Sequence, residues 1–256
     1  MKKLLTLIIS ALLLVTTCIG FTACGGNQDK LIVGVTIYEP MDYKDEKGKW
    51  VGFDAELAKM FAETLDKKVQ FQIIVWKNKV AELNSNQIDL VWNGMTASED
   101  LGKEIDFSVS YAKNTQVAVV KKGSQITTKE QIKVANVVVE NGSAGNIVAT
   151  EEGMTKVQPV KAQVNALLEV NAGTSEVAII DYTMAKNVVG KGDYANLQIV
   201  EGVTYGNELF AVGLKKGNTE LKAKLDAFLK EKYADGTMAQ LATKYNVSLN
   251  EEALGA

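Results

Sequence analysis

Several segments of the chain place hydroxyl, amide, aromatic or acidic groups directly after a short apolar run. They are Thr36-Ile37-Tyr38, Trp76, Asn93-Gly94-Met95-Thr96, Asn141-Gly142-Ser143-Ala144-Gly145 and Asp181-Tyr182. The runs are typical of buried strands, and in open α/β sheets ligands bind outside the carboxyl ends of the strands. These groups suit a small polar molecule. No segment matches the G-x-x-x-x-G-K-[ST] or G-x-G-x-x-G pattern of a phosphate loop.

Two residue types that often carry chemistry are missing from this chain of 256 residues. It has no His, and all 28 basic residues are Lys. Without His, a Ser-His-Asp triad, a Cys-His dyad and a His-ligated zinc site cannot form. The net charge of −3, without a basic cluster, argues against a nucleic-acid partner. We expect no metal or other cofactor and no catalytic residue.

Apolar runs typical of strands alternate with segments of helical period. In the first long helix, Phe53, Leu57 and Phe61 share one apolar face, and Asp54 is placed to cap the helix start. This alternation favours an α/β fold with parallel sheets. The predicted strands are 31–35, 69–75, 88–92, 116–120, 134–139, 177–180 and 210–214, and the predicted helices are 53–65, 80–83, 162–170, 219–233 and 237–245.

The first residues have the layout of a secretory signal peptide. Met1-Lys2-Lys3 is basic, Leu4 to Val15 is almost wholly apolar, and small residues precede Cys24. Phe21-Thr22-Ala23-Cys24 resembles the lipobox of bacterial lipoproteins, which implies a signal peptide over 1–23, a lipid on Cys24 and a tether over 24–30. The alternative is plain secretion with cleavage near Ala23. Cys18 would be removed in either case, so no disulfide is expected.

Five sequence segments resemble those of a known protein family. They are Trp50–Asp54, Ile88–Thr96, Ile105–Ser108 with Tyr111, Lys113–Val117, and Asp235–Thr237 with Lys244-Tyr245. In this order and at this spacing, they make the chain from Leu31 to about Tyr245 resemble the bacterial extracellular solute-binding proteins of family 3, which serve polar amino-acid ABC importers.

The resemblance implies a two-lobed clamshell of the type II periplasmic-binding-protein kind, with a mostly parallel sheet flanked by helices in each lobe. Lobe 1 would comprise 31–113 plus 206–256, and lobe 2 would comprise 114–205. The hinge would be two crossing strands near Lys113–Val117 and Thr204–Glu208. Ligand binding in the cleft would draw the lobes together.

The implied function is that of a monomeric receptor outside the cytoplasm, anchored to the membrane by its lipid. It would capture an amino acid or a close amine-bearing derivative and deliver it to an ABC permease.

The resemblance also implies roles for individual residues. Tyr38 and Trp76 would pack on the ligand, and Ser143 with Ala144 would hold its carboxylate from lobe 2. The backbone around Gly94, including Asn93 and Met95, would bind the ligand's polar groups together with the Thr96 hydroxyl. Asp181 would take the ammonium group, because an unpaired carboxylate at the end of an apolar strand is costly to bury.

Two positions depart from the family pattern. Leu101 stands where the family has an Arg that grips the ligand's carboxylate, and Glu140 stands where some relatives carry a basic residue. Two interpretations follow. The ligand is an amino acid whose carboxylate is held by backbone amides and hydroxyls, or it is a cationic amine without a carboxylate, enclosed by Tyr38, Trp76, Asp181 and Glu140.

Two other classes of function stay open. Some relatives of this fold are cyclohexadienyl dehydratases, but their substrates carry carboxylates, and the missing Arg counts against them here. A sensory or adhesion role at the cell surface is not excluded by the sequence, although no extra domain supports it.

Overall fold

A computed structural model describes residues 29–256 of the chain. The predicted signal peptide, Cys24 and most of the predicted tether lie outside the described residues. Within the described part, no helix is long and apolar enough to cross a membrane.

Strands and helices alternate along these residues. The strands are β1 (Lys30–Val35), β2 (Tyr43–Lys44), β3 (Trp50–Val51), β4 (Lys68–Ile73), β5 (Leu90–Val91), β6 (Ile105–Phe107), β7 (Ala112–Lys121), β8 (Asn136–Glu140), β9 (Lys156–Val160), β10 (Val177–Asp181), β11 (Leu197–Phe210) and β12 (Gly213–Lys215). The helices are α1 (Phe53–Thr64), α2 (Lys79–Asn84), α3 (Glu99–Glu104), α4 (Lys129–Val134), α5 (Ala144–Glu151), α6 (Gln163–Ala172), α7 (Tyr182–Val188), α8 (Thr219–Ala234), α9 (Thr237–Tyr245) and α10 (Glu251–Leu254). Single 3-10 turns cover Trp76–Asn78 and Gly192–Tyr194.

The strands form two five-stranded sheets and a small hairpin of β2 and β3. The first sheet has the order β4-β1-β5-β12-β6, and the second has the order β11-β7-β10-β8-β9. From the pairing directions, only β12 runs against the other strands of the first sheet, and only β7 does so in the second. The prediction of two lobes with mostly parallel sheets is confirmed.

The chain passes between the two sheets at adjacent places, after β6 and after β11. There β7 and β11 pair in antiparallel fashion, with Asn114 opposite Glu208 and Gln116 opposite Tyr205. The register shifts between Tyr205 and Glu208. These residues fall within the two predicted hinge strands. The division of individual residues between the lobes stays a prediction.

The apolar face predicted for the first long helix holds its lobe together. Phe53, Leu57 and Phe61 of α1 are fully buried. The Phe61 ring lies 5.3 Å from that of Phe228 in helix α8 and 6.2 Å from that of Trp92, which follows β5. Helix α1 therefore packs between the first sheet and α8. Burying such large side chains stabilises the lobe by about 1.5–3 kcal/mol each.

Two local predictions are wrong. Asp54 does not cap α1, because Gly52 occupies the N-cap position and Asp54 lies inside the first turn, fully buried. The strand predicted at 210–214 is two strands, since Phe210 ends β11 and Gly213 begins β12.

Candidate functional site

A small cavity lies between the carboxyl ends of the strands of the two sheets. Its empty volume is about 260 Å³. Nine of the ten residues predicted for the site line it, and Gln163 is the tenth lining residue. The lining residues are Tyr38, Trp76, Asn93, Gly94, Thr96, Glu140, Ser143, Ala144, Gln163 and Asp181.

Met95 is the predicted residue that the structure does not bring to the cavity. Its side chain is 1% exposed and belongs to an apolar cluster with Leu83 and Ile105. A Cβ built at Gly213 would lie 2.4 Å from the Met95 methyl carbon. Met95 therefore packs beneath the site, because adjacent residues of an extended segment point to opposite sides.

The Asn93 side chain holds the cavity wall in place. Its oxygen accepts hydrogen bonds from the backbone N–H and hydroxyl of Thr36, at 2.9 and 2.8 Å. Its amide donates to the Thr36 carbonyl at 3.2 Å and to Asp42 at 2.8 Å. Since these contacts occupy both ends of the side chain, Asn93 fixes the ends of β1 and β5 relative to each other.

Gly94 lets an aromatic ring approach the backbone. Its φ is +54°, and a Cβ there would lie 2.8 Å from a ring carbon of Tyr38. Its N–H donates to Asp54 at 2.7 Å, and the Tyr111 hydroxyl donates to the same carboxylate oxygen at 2.8 Å. Burial raises the pKa of Asp54 to about 7, against the lowering by these hydrogen bonds. Asp54 therefore fixes the position of the Gly94 backbone, which lines the cavity.

Asp181 is not the unpaired carboxylate that the sequence predicts. Asn114 and Gln116 each donate to one of its oxygens at 2.6 Å, and Gln163 donates to the other. The Gln163 side chain also accepts from the Asp181 N–H at 2.9 Å. Burial raises the pKa of Asp181, while the amide hydrogen bonds lower it. This carboxylate is built into the protein and still faces the cavity.

A further carboxylate, that of Glu208, lies behind Asp181. It accepts from Asn114 at 2.7 Å, from Gln116 at 3.0 Å and from the Thr96 hydroxyl at 3.2 Å. Burial, and then the charge of Asp181, raise the pKa of Glu208 to about 7. The Thr96 hydroxyl therefore already has an acceptor within the protein.

Glu140 is the carboxylate that has no partner. Its side chain is 2% exposed, makes no hydrogen bond with the described residues, and has one oxygen fully buried. Burial, and then the charge of Asp181, raise the pKa of Glu140 to about 8, against a lowering by Lys79. An interpretation of Glu140 as an exposed loop charge does not hold.

Lys79 brings a positive charge to the edge of the cavity from α2. Its ammonium donates across the cleft to the Gly142 carbonyl at 3.0 Å and lies 4.8 Å from the centre of the Trp76 ring. Burial lowers the pKa of Lys79 to about 8, and Glu140 acts in the opposite direction. Lys79 makes no ion pair within 4.0 Å among the described residues.

Backbone donors face the cavity at the start of α5. The Ser143 hydroxyl caps this helix by accepting from the Asn146 N–H at 3.2 Å. The first N–H groups of a helix have no intrahelical acceptor and carry partial positive charge, so they can bind an anionic group. Ala144 can present such a donor, whereas the Ser143 N–H already donates to the Glu140 carbonyl at 3.2 Å. Ser143 has its hydroxyl hydrogen to offer.

On the aromatic side, Tyr38 and Trp76 are both buried. The Tyr38 hydroxyl lies close to Asp181 and makes no hydrogen bond of normal geometry. It is thus a second buried polar group without a partner.

Leu101, at the position of the family Arg, does not line the cavity. It is half-buried in the short helix α3. Within residues 29–256, no group of three His, Cys, Asp or Glu side chains could hold a metal ion.

Sequence reasoning missed the amides Asn114, Gln116 and Gln163 and the charges of Lys79 and Glu208. Asn114 and Gln116 could have been predicted, because residues two apart in a strand point to the same face and both lie in a predicted hinge strand. Gln163 carried none, because it begins an ordinary helix.

The chain is similar to several known proteins. The arginine-binding extracellular protein ArtP of Bacillus subtilis (strain 168) is 30% identical over 248 residues, which are 91% of this chain and 96% of ArtP. A solved structure of an ancestral arginine-binding protein bound to arginine is 33% identical, with a TM-score of 0.78 over 85% of this chain and 98% of that one. The ancestral amino acid-binding protein AncCDT-1, a precursor of cyclohexadienyl dehydratase, is 28% identical, with a TM-score of 0.77 over 85% of this chain and 95% of that one.

The model of one protein family matches residues 31–248, almost the whole of the described chain. The relatives named in these comparisons are amino-acid-binding proteins, and one of them is described as part of an ABC transporter. The chain, with its two mixed sheets and the cavity between them, belongs to the bacterial extracellular solute-binding proteins, family 3.

Proposed function

We propose that the protein captures a single amino acid in the cavity between its lobes and hands it to an ABC permease. The observation that carries this proposal is the cavity itself, which is small and lined by polar groups from segments of both sheets. Two carboxylates, Asp181 and Glu140, lie on its wall, and the Lys79 ammonium lies at its edge. The names of the relatives, which include binders of arginine, cystine and glutamine, support an amino acid as ligand.

In this proposal, opposite ends of the ligand meet opposite charges. The α-ammonium lies against Asp181, which is 4% exposed and accepts hydrogen bonds from three side-chain amides. The α-carboxylate lies at the start of α5, where the Ser143 hydroxyl and the Ala144 N–H offer donors. These donors would take over the role of the Arg that binds the carboxylate in the family, since this chain has Leu101 at that position.

Binding is tested by a thermal-shift screen of the full chain, purified in mild detergent, against the common amino acids and a set of amines without a carboxylate. We expect at least one amino acid to raise the melting temperature and the carboxylate-free amines to raise it less. Stabilisation by the amines alone would favour the cationic-amine interpretation instead.

The role of Asp181 is tested by calorimetry with the amino acid that emerges from this screen. Asp181→Asn should weaken binding by about 2–3 kcal/mol, the scale for removing one partner of a buried charge pair, or roughly thirty- to a hundred-and-forty-fold. Asp193→Asn, an exposed position, serves as the control. If affinity is unchanged in Asp181→Asn, Asp181 does not contact the ligand.

The same proposal places the protein outside the cytoplasm as a monomer anchored through a lipid on Cys24. Cys24→Ala should then release the protein from the membrane fraction of the producing cells. Fractionation identical to that of the wild type would contradict the anchor, and sedimentation of the purified chain tests the monomer.

A catalytic role is the second candidate, which the likeness to a precursor of cyclohexadienyl dehydratase favours. We propose that the chain is a binding protein and not an enzyme. NMR spectra of a cyclic dienyl acid mixed with the protein should show no product over hours, and product formation would refute this.

A further inference from the structure

The Glu140 carboxylate marks a part of the cavity whose partner is missing. Most buried polar groups of proteins are hydrogen-bonded, and a buried charge without a partner is especially costly. Glu140 lines the cavity, is 2% exposed and makes no side-chain hydrogen bond with the described residues. What it lacks is a donor, and its place on the cavity wall allows a ligand to supply one.

Lys79 does not fill this role. Its ammonium is directed to the Gly142 and Trp76 carbonyls, at 3.0 and 3.5 Å, and makes no ion pair with Glu140 within 4.0 Å. Its attraction for Glu140 therefore acts only at longer range.

Acidic groups outnumber basic groups around the cavity. The carboxyl groups of Asp181 and Glu140 on its wall and of Glu208 behind them stand against one amine, that of Lys79. An amino acid with a neutral side chain brings one positive and one negative charge, so it leaves this excess as it is. A ligand with one more cationic group reduces the excess and supplies the donor that Glu140 lacks.

The two carboxylates on the cavity wall come from neighbouring strands. Glu140 ends β8 and Asp181 ends β10, and these strands pair in parallel, with Val138 opposite Ala178. Both side chains line the same small cavity, so one small molecule in it can place a donor at each.

We propose that Glu140 binds a second cationic group of the ligand, so that the transported solute is an amino acid with a positively charged side chain. This inference rests on the proposed function, because it assigns the side chain of an amino acid whose ammonium lies at Asp181. It makes Glu140 the residue that selects the ligand by charge.

The test compares ligands that differ by one charge at nearly constant shape. L-Arginine is paired with L-citrulline, in which a neutral urea replaces the guanidinium, and L-lysine is paired with L-norleucine. For at least one pair, we expect calorimetry on the full chain to give about thirty-fold or more tighter binding of the cationic member, the scale of a buried charge contact. Agmatine, which is arginine without its carboxylate, should bind more weakly than arginine.

The variant Glu140→Gln keeps the size of the side chain and removes its charge. Binding of the preferred cationic amino acid should fall by about thirty-fold or more, whereas citrulline or norleucine should change by less than about three-fold. The control Glu151→Gln removes an exposed carboxylate at the other end of α5 and should change neither.

The outcomes separate this inference from the proposed function. If citrulline and norleucine bind as tightly as their cationic partners, or if Glu140→Gln affects both members of a pair equally, the inference is overturned while amino-acid binding stands. If no amino acid binds at all, the proposed function fails with it. Should Glu140→Gln not fold, the arginine-to-citrulline and lysine-to-norleucine ratios in the wild type decide the question.

Discussion

At Gly142 the segment after β8 closely approaches the segment after β4, and this contact offers a test of the expected closure of the lobes that touches no ligand contact. It lies between β8 and α5 at φ +74°, and a Cβ built there would lie 3.1 Å from both Cα and Cβ of Lys77 in the other lobe. Carbon atoms in ordinary contact are about 3.5–4.0 Å apart. Gly142→Ala should therefore make the closed state harder to reach.

Two costs of this substitution can be separated. The left-handed φ disfavours Ala by about 1–2 kcal/mol whether the lobes are open or closed, which lowers the melting temperature by roughly 2–4 °C per kcal/mol. The contact with Lys77 exists only when the lobes are closed, and overpacking of this kind costs about 1 kcal/mol or more. Binding should consequently weaken by about five-fold or more.

Gly153→Ala is the matched control. Gly153 lies in the same lobe at φ +70°, but a Cβ there would meet nothing within 4 Å. Both variants should therefore lose similar thermal stability, and only Gly142→Ala should lose affinity in calorimetry with the best amino acid of the screen. Equal affinities in the two variants would refute the closed contact between Gly142 and Lys77.

Two further predictions concern buried polar groups. Asp54 binds a proton more tightly in the folded state, with a pKa of about 7 against an ordinary 3.8, so its contribution to stability falls as the pH rises from about 4 to 7. Asp54→Asn should flatten this pH dependence in urea unfolding at pH 5 and 7.5, and an unchanged slope would contradict the assignment. Tyr38→Phe removes a buried hydroxyl that has no hydrogen-bond partner in the protein, so the unliganded protein should keep its stability. Ligand affinity measured by calorimetry should fall about five-fold, because a hydrogen bond to the ligand is lost. Unaltered affinity would exclude that hydrogen bond.

Much of the cavity could be predicted because of one geometric rule. Parallel strands end at a common edge, so Tyr38 after β1, Thr96 after β5 and Asp181 at the end of β10 had to meet once the strands were recognised. Trp76 and Ser143 also follow apolar runs, and the family resemblance added the role of each residue toward the ligand.

The parts that could not be predicted depend on contacts between distant segments. Asp54 is a residue type that often caps helices, and it lies at the start of a helix. It is buried instead because the Gly94 N–H and the Tyr111 hydroxyl, both distant in sequence, donate to its carboxylate. Likewise, the amides that keep Asp181 satisfied come from β7 and α6, far away in the chain. Local propensity cannot foresee such tertiary partners.

Two of the buried groups without partners line the cavity and would make the proposed closure selective. Tyr38 contributes its hydroxyl from the side of the first sheet and Glu140 its carboxylate from the side of the second, and both are buried in this structure. If the lobes close on ligand as proposed, closing an empty cleft would leave each unsatisfied, at a cost of about 1–3 kcal/mol apiece, so we expect the empty protein to favour an open state. A ligand shifts this equilibrium only by as much as it prefers the closed state, and a donor that reaches Glu140 removes one of these costs. A solute without such a donor is penalised by the same closure, so the residue that we assign to selectivity also couples binding to the motion of the lobes.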